Sequence, residues 1–474
     1  MALTNSPHPE EPAQQASRRT HSADPLRTPR PDDTIFAPAT AAGRAGIAVV
    51  RISGPATCAA LAALSCVVPK PRHAARARFA ERASGEAIDD GLVLFFPGPA
   101  SVTGEDVAEL HLHGGRAIIE AVTAVLAFVP GLRLAEPGEF TRRAFAHGKL
   151  DLTAAEAVAD LVGAETAAQR RQALRQLDGE LGRLYDEWRQ SLLRAAAHVE
   201  AAIDFPEEGL PETLDEGARR AVEDLIGEID RHLADNRRGE ILRDGVSVAI
   251  LGPPNVGKSS LINVLAQRDV AITSAVAGTT RDVIEVQLDL AGYPVIVADT
   301  AGLREARDAI EAEGIRRARA RAAAADLTIA VLDIAHPEAT IEMAAELASA
   351  ALVVANKLDL VDAANRAVAL ARLPSGAIAL STVTGENLPL LLDRLAETVK
   401  ERYATTAGPV LTRSRHRAAL GDCVAALRRS LSAPLTELAA EDLRLAVRAL
   451  GRITGRADVE DILDIIFRDF CIGK

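Results

Sequence analysis

The residues from Gly252 to Ser259, Gly-Pro-Pro-Asn-Val-Gly-Lys-Ser, have the types and spacing to hold a phosphate. Gly252 and Gly257 let the backbone curl so that successive N–H groups point inward at an anion. Lys258 can reach β- and γ-phosphates, and the Ser259 hydroxyl can take Mg²⁺. The apolar run Val246–Leu251 before the loop reads as a buried strand. The pattern from Ser260 to Ala266 after it reads as a helix, whose N-terminus adds a positive dipole end. Strand, loop and helix together form the phosphate-binding loop of nucleotide hydrolases.

Three further motifs follow in order. Asp299, Thr300, Ala301 and Gly302 come after the apolar run Val295–Ala298. There Asp299 can hold Mg²⁺ through water, and the Gly302 N–H can sense a γ-phosphate. Asn356, Lys357 and Asp359 come after Leu352–Ala355. Asp359 can accept from both N1–H and the 2-amino group of guanine, a donor pair that adenine lacks. Gly278-Thr-Thr-Arg-Asp282 lies between, and Thr280 offers a second hydroxyl to Mg²⁺. Four such motifs, each at a strand end, describe a GTP-binding domain of the Ras-like type, with a mostly parallel sheet and ligand at the strands' C-terminal ends. Ser381-Thr-Val-Thr-Gly385 lies where a guanine-contacting loop would close the site.

One position breaks the commonest pattern. Leu303 follows Gly302 where a Ras-type protein carries the glutamine that orients water, and an apolar side chain cannot do so. The next segment offers carboxylates at Glu305, Asp308, Glu311 and Glu313.

The elements that must position these residues can be read along the chain. At 474 residues the length suggests about three domains, and 48% hydrophobic residues are ample for cores. A net charge of −12 argues against a protein that coats nucleic acid, so RNA contact must use local basic patches or a partner. Cys58, Cys66, Cys423 and Cys471 lack zinc spacing and fit a reducing, cytoplasmic setting. No apolar stretch approaches a membrane span, which disfavours a transporter-linked GTPase. Residues 1–31, rich in Pro, Ser and Arg, read as a disordered tail.

Residues 32–150 read as an α/β unit. Its strands run over Ile47–Ile52, Gly91–Phe96 and Val107–His113, followed by a helix from Arg116 to Phe128. His111 and His113 share one strand face, but no third metal ligand sits at a sensible spacing. From 151 to 243 the pattern is helical, with stripes through Leu181, Tyr185, Trp188 and Leu192 and through Val222, Leu225 and Ile229. Helices return from 406 to 474. The GTPase module, 244–405, therefore reads as inserted into one helical domain. Two basic stretches, Lys70 to Arg82 and Arg413 to Arg417, read as solvated faces or RNA contacts.

The tail Phe470-Cys-Ile-Gly-Lys474 is explained by no periodicity. With Gly278–Asp282, the segment Asp299–Glu305, Arg51-Ile-Ser-Gly54, Thr103–Leu110 and Pro137–Phe145, it resembles the MnmE (TrmE) family of tRNA-modification GTPases. The resemblance runs from about Asp32 to Lys474. It implies a homodimer held by an N-terminal α/β domain that binds tetrahydrofolate, as the 5,10-methylene or 5-formyl form. It also implies a flavoprotein partner, MnmG (GidA), in a heterotetrameric or larger complex, and an aminomethyl-type group built on C5 of a tRNA wobble uridine. Folate positions fall on Arg51, Glu109, Lys149 and Lys474.

The resemblance further implies that K⁺ replaces an arginine finger, held by Asn255, the carbonyls of Ser274 and Val276, and Thr279. Glu311 becomes the water-orienting residue. Nucleotide contacts extend over Asn255, Val256, Gly257, Lys258, Ser259 and Ser260, and over Ser274, Ala275, Val276, Ala277, Gly278, Thr279 and Thr280. Cys471 stands open as a nucleophile or a structural thiol. A ribosome-assembly GTPase and a folate enzyme with regulatory GTP remain as other readings.

Overall fold

Runs of alternating or β-branched residues form strands in two separate sheets. The computed structural model describes residues 33–204, 216–268, 270–272, 285–299, 323–336, 351–403, 408–457, 460–468 and 470–473. Contacts divide the chain into two units: the residues up to Lys149 together with those from Phe467 onward, and Leu150–Ile466. The last residues thus group with the first unit. Helical periodicity, which runs on to Phe470, groups all of 406–474 with the helices and says nothing of what a tail packs against.

The first unit is a six-stranded sheet. Its strands are β1 (Thr34–Pro38), β2 (Ala45–Ser53), β3 (Ala75–Ala80), β4 (Ala87–Phe96), β5 (Val107–Gly114) and β6 (Leu132–Leu134), in the order β3-β4-β5-β2-β1-β6. β1, β3 and β6 were not expected from the sequence; each is short or broken by polar residues. Side-chain alternation sends Val50, Ile52, Leu110, Leu112, Val93 and Phe79 to one face. There they pack under the helices Thr57–Ala63 and Arg116–Ala127 through Leu61 and Val122. The opposite face carries Arg51, Glu109 and His111, in register across β2 and β5.

In the second unit, four helices share one core: Glu180–Asp204, Glu216–Leu233, Ser414–Ser432 and Thr436–Thr454. Tyr185, Trp188, Leu192, Val222, Ile229, Leu420, Cys423, Leu443 and Leu450 fill it. Two of these helices precede the second sheet in the chain and two follow it, so the GTPase module is an insertion. The first of them ends at Asp204.

The inserted sheet comprises β7 (Val246–Leu251), β8 (Glu285–Leu290), β9 (Tyr293–Asp299), β10 (Leu327–Asp333), β11 (Ala351–Asn356) and β12 (Ile378–Ala379). Its order is β12-β11-β10-β7-β9-β8. All pairings are parallel except β8–β9, which form an antiparallel hairpin. Ala291 and Gly292, at φ 55° and 89°, make its turn with both central residues left-handed, the conformation that matches strand twist. A separate core, through Val248, Ile250, Leu261, Ile329, Val354 and Leu391, packs this sheet against the helices Lys258–Ala266 and Leu388–Tyr403.

The basic stretch Arg413–Arg417 is not a solvated face but is paired within the fold. Arg413 pairs with Asp160 at 2.6 Å, Arg415 with Glu156 at 2.6 Å, and Arg417 with Asp235 at 2.6 Å and Glu240 at 3.0 Å. His416, fully buried, meets Glu156 at 3.0 Å. These carboxylates come from segments before the insertion, so the returning chain is fastened where the helical domain resumes. Sequence spacing could not reveal this, since the partners lie 177 to 260 residues away.

Candidate nucleotide-binding site

The phosphate loop has the backbone its residues predict. Gly252 and Gly257 sit at φ 152° and 99°. A Cβ at Gly252 would strike the Val331 carbonyl, and one at Gly257 would strike Asn356 Nδ2, so both glycines are required by contact as well as by φ. Asn255 adopts φ 63°, a conformation Asn tolerates better than most residues, and its side chain is exposed. The helix Lys258–Ala266 starts directly after Gly257, with Ser259 in its first turn. Lys258 Nζ donates to the Gly252 and Pro253 carbonyls, each at 2.8 Å, which holds the ammonium inside the curl of the loop.

The strand ends converge on this loop. β9 pairs with β7 so that Asp299 stands opposite Ile250, and β11 pairs with β10 so that Asn356 stands opposite Asp333. Asn356 is only 1% exposed and acts as a strut. Its Nδ2 donates to the Val256 carbonyl at 2.8 Å, and its Oδ1 accepts from the Thr382 N–H at 3.1 Å. One side chain thereby ties the phosphate loop to the 381–385 loop.

Asp359 follows in an exposed turn entered through Lys357 at φ 69°. Ser381 Oγ donates to Asp359 Oδ1 at 2.5 Å and accepts from the N–H groups of Val383 and Thr384. The carboxylate is thus oriented by one oxygen and can receive a base edge on the other. Lys357 Nζ pairs with Asp333 Oδ2 at 2.8 Å. Burial opposes the charge on Asp333, but hydrogen bonds from Lys357 and the Ala335 N–H outweigh it and hold the carboxyl below its usual range.

In the first unit, Arg51 meets Glu109 Oε1 through Nη2 at 2.9 Å and Nε at 3.1 Å, both side chains about one-quarter exposed. Arg51 lies 5.7 Å from the Phe140 ring centroid. His111 Nε2 is 3.6 Å from Glu109 Oε2 and is buried without a hydrogen-bond partner among the described residues. His113 pairs with Asp89 at 2.7 Å, and among the described residues no group of three ligands could hold a metal. Lys149 is exposed. The C-terminal segment reaches this unit: the Gly138 N–H donates to the Cys471 carbonyl at 3.4 Å, and Gly473 lies against the Pro38 carbonyl.

A family model described as the MnmE helical domain matches residues 152–471, and one described as the GTP-binding protein TrmE N-terminus matches residues 34–149. The chain belongs to the MnmE family of tRNA modification GTPases. It is 57% identical over 457 residues to the tRNA modification GTPase MnmE of Rhodospirillum rubrum, covering 93% of this chain and 99% of the relative. It is 58% identical over 447 residues to that of Paramagnetospirillum magneticum, covering 93% and 100%. The mitochondrial 5-taurinomethyluridine-[tRNA] synthase subunit GTPB3 of Danio rerio is 47% identical over 472 residues, covering 94% and 93%.

MnmE-family membership makes the chain a GTP hydrolase and accounts for motifs that chemistry left unexplained. Thr103–Leu110 and Pro137–Phe145 meet in a buried ion network. Arg143 bridges Glu105 and Glu139, each at 3.0 Å, Arg133 reaches Glu139 at 2.6 Å, and Ser53 Oγ donates to Glu105 at 2.6 Å. Burial opposes the Glu139 charge, yet hydrogen bonds from Arg133, the Glu136 N–H and Arg143 hold its carboxyl below the usual range. Of the residues expected at the nucleotide, the structure brings together 255–260, 356, 357 and 359. Residues 274–280, 300–302 and Glu311 lie outside the described residues, as does Lys474. Sequence reasoning missed Ser381 as the group that orients Asp359, and Asp333 as the anchor of Lys357. Their only signal was position at the ends of adjacent strands.

Proposed function

We propose that this chain is a K⁺-activated GTPase that works as a homodimer with an MnmG-type flavoprotein. Together they build an aminomethyl or carboxymethylaminomethyl group on C5 of a tRNA wobble uridine, with the carbon supplied by a tetrahydrofolate. The relative named for 5-taurinomethyluridine supports C5 as the position. The observation that carries the reading is the packing of the Cys471–Gly473 tail into the unit that holds Arg51 and Glu109. Family folate positions come from both chain ends, and this packing brings the residue before Lys474 to the N-terminal unit.

The chain's own groups divide the work. The 252–258 backbone and Lys258 bind the phosphates, while Asp359, oriented by Ser381, selects guanine. Ser259, in the first turn of its helix, suits Mg²⁺, and the exposed Asn255 carboxamide suits K⁺; Thr280 would complete the Mg²⁺ set, and Ser274, Val276 and Thr279 the K⁺ set. A K⁺ held by these groups would supply positive charge to the developing transition state, the service an arginine finger performs elsewhere. Glu311 then orients water in place of the glutamine absent at Leu303. Arg51 suits the anionic tail of a folate, and Glu109 the amino edge of its pterin, on the sheet face opposite the helix-covered core. In domain terms, 244–405 hydrolyses GTP, inserted between 151–243 and 406–466, and 32–150 with the C-terminal tail holds the folate.

GTP turnover in KCl and in NaCl at equal ionic strength tests the ion-assisted step. Strong stimulation by K⁺ is expected, and equal rates refute it. Wobble-uridine chemistry in a deletion strain separates this reading from a ribosome-assembly GTPase, which would leave the nucleoside unchanged.

A further inference from the structure

The stretch from Lys70 to Arg82 has no part in the sites described above. It holds five Lys or Arg residues against one carboxylate, Glu81, in a chain whose net charge is −12. Its central residues form β3, the outermost strand of the first sheet, which pairs only with β4. Phe79 points into the core and Ala75 and Ala77 pack against it, so alternation turns Arg76 and Arg78 to the other face. Register places Arg76 beside Leu92 and Arg78 beside Asp90. Leu92 in turn stands beside His111, so this is the face that carries Glu109 and Arg51.

These cations are poorly neutralised. Arg76 is 81% exposed and only 4.0 Å from an exposed Asp90, a pair worth little in water. Asp89, the other nearby carboxylate of β4, is taken by His113. Lys70, Arg78 and Arg82 are exposed and form no ion pair among the described residues. Arg72 is the exception, fixed to the Ala100 carbonyl and over the Phe96 ring at 5.6 Å. Charge on an edge strand also deters strand-to-strand association. That purpose does not call for cations in the flanking segments too, yet Lys70 precedes the strand and Arg82 follows it.

We propose that this edge, through Lys70, Arg76, Arg78 and Arg82, is where the phosphate backbone of the tRNA substrate docks. Guanidinium groups suit phosphate, and a row of them on a rigid strand sets the register of a polyanion without reading its bases. Three strand spacings, about 14 Å, separate β3 from β2, so a backbone held on the edge lies along the same face as Arg51. The inference rests on tRNA as the family's substrate and not on the K⁺ or folate assignments, so its test is independent of theirs.

The test is binding of a fluorescent, unmodified tRNA transcript to the full chain, followed by anisotropy across a KCl series. Arg76→Ala combined with Arg78→Ala is expected to weaken binding about 10- to 100-fold at 0.1 M salt. It should also flatten the slope of log K against log salt by about 2. Arg76→Lys with Arg78→Lys should keep most of the slope. GTP turnover should be unchanged in both, and a circular-dichroism spectrum and melting curve matching the wild type report that the N-terminal unit is folded; if the alanine pair misfolds, Arg78→Gln alone should flatten the slope by about 1. Unchanged affinity and slope overturn the proposal, and so does the absence of salt-dependent binding by the wild-type chain.

Discussion

Glu156→Ala should loosen the helical domain more than any exposed substitution. Glu156 is 2% exposed and accepts from Arg415 through both oxygens, at 2.6 and 2.8 Å, and meets His416 at 3.0 Å. Burial penalises its charge, but the Arg415 cation and the hydrogen bonds from Arg415 and His416 outweigh burial and hold the carboxyl well below the carboxylate range. Burial also keeps His416 neutral. Its Nδ1 has no partner among the described residues, so Nε2 carries the proton and donates it to Glu156. Removing the carboxylate strands a guanidinium that is only 23% exposed. Arg415 keeps two weaker acceptors, the Arg452 and Ile453 carbonyls at 3.3 and 3.1 Å, so the cost falls at the lower end of the usual range, about 3 kcal/mol. With a urea dependence of about 2 kcal/mol per M, the unfolding midpoint falls by about 1.5 M.

The protein carries its own probe. Trp188 is the single tryptophan, is 5% exposed in the helical core, and donates to Glu228 at 2.8 Å. Its fluorescence reports this domain and not the separately cored GTPase sheet. The sign with pH is also fixed. A depressed folded pKa stabilises above the unfolded value of about 4.3 and is lost as pH falls through the folded value. The difference between wild type and Glu156→Gln should therefore be full at pH 7 and shrink only below about pH 4.3. A midpoint shift under about 0.3 M for Glu156→Ala would refute the clamp.

Asp359→Asn should cost about 10- to 100-fold in GTP affinity while xanthosine triphosphate gains, because the amide repels the guanine donors that the carboxylate accepts; unchanged selectivity in competition binding removes Asp359 from the base site. Gly257→Ala should abolish nucleotide binding with the fold retained, since the new Cβ meets Asn356 Nδ2 at φ 99°, and calorimetric titration with GTP checks it. Burial pushes the His232 pKa down to about 4, so the unfolded chain takes up its proton first and stability is lost as pH falls from about 6.5 toward 4. That loss is about 2 kcal/mol at pH 5, read from Trp188 urea midpoints at pH 7 and 5, and His232→Gln should reduce the drop.

Much of this protein was legible from local pattern. Strand β7, the glycine loop and the following helix are specified by neighbours within about twenty residues, because a glycine's φ range and a strand's alternation are properties of the local chain. The same holds for the β8–β9 hairpin and for the amphipathic stripes through Leu181 and Val222. What a charge touches is not local. Arg413–Arg417 has the composition of a solvated or RNA-binding face, and only the fold supplies the carboxylates of Glu156, Asp160, Asp235 and Glu240 that neutralise it. Asn356 looks like a base-contacting residue in the sequence and is a buried strut in the structure, because its amide meets a loop 100 residues earlier. The C-terminal tail has no pattern at all and takes its place from the N-terminal unit it packs against. Backbone geometry is determined over a few residues, whereas the pairing of charges and the docking of tails depend on which distant surfaces the sheets and helices bring together.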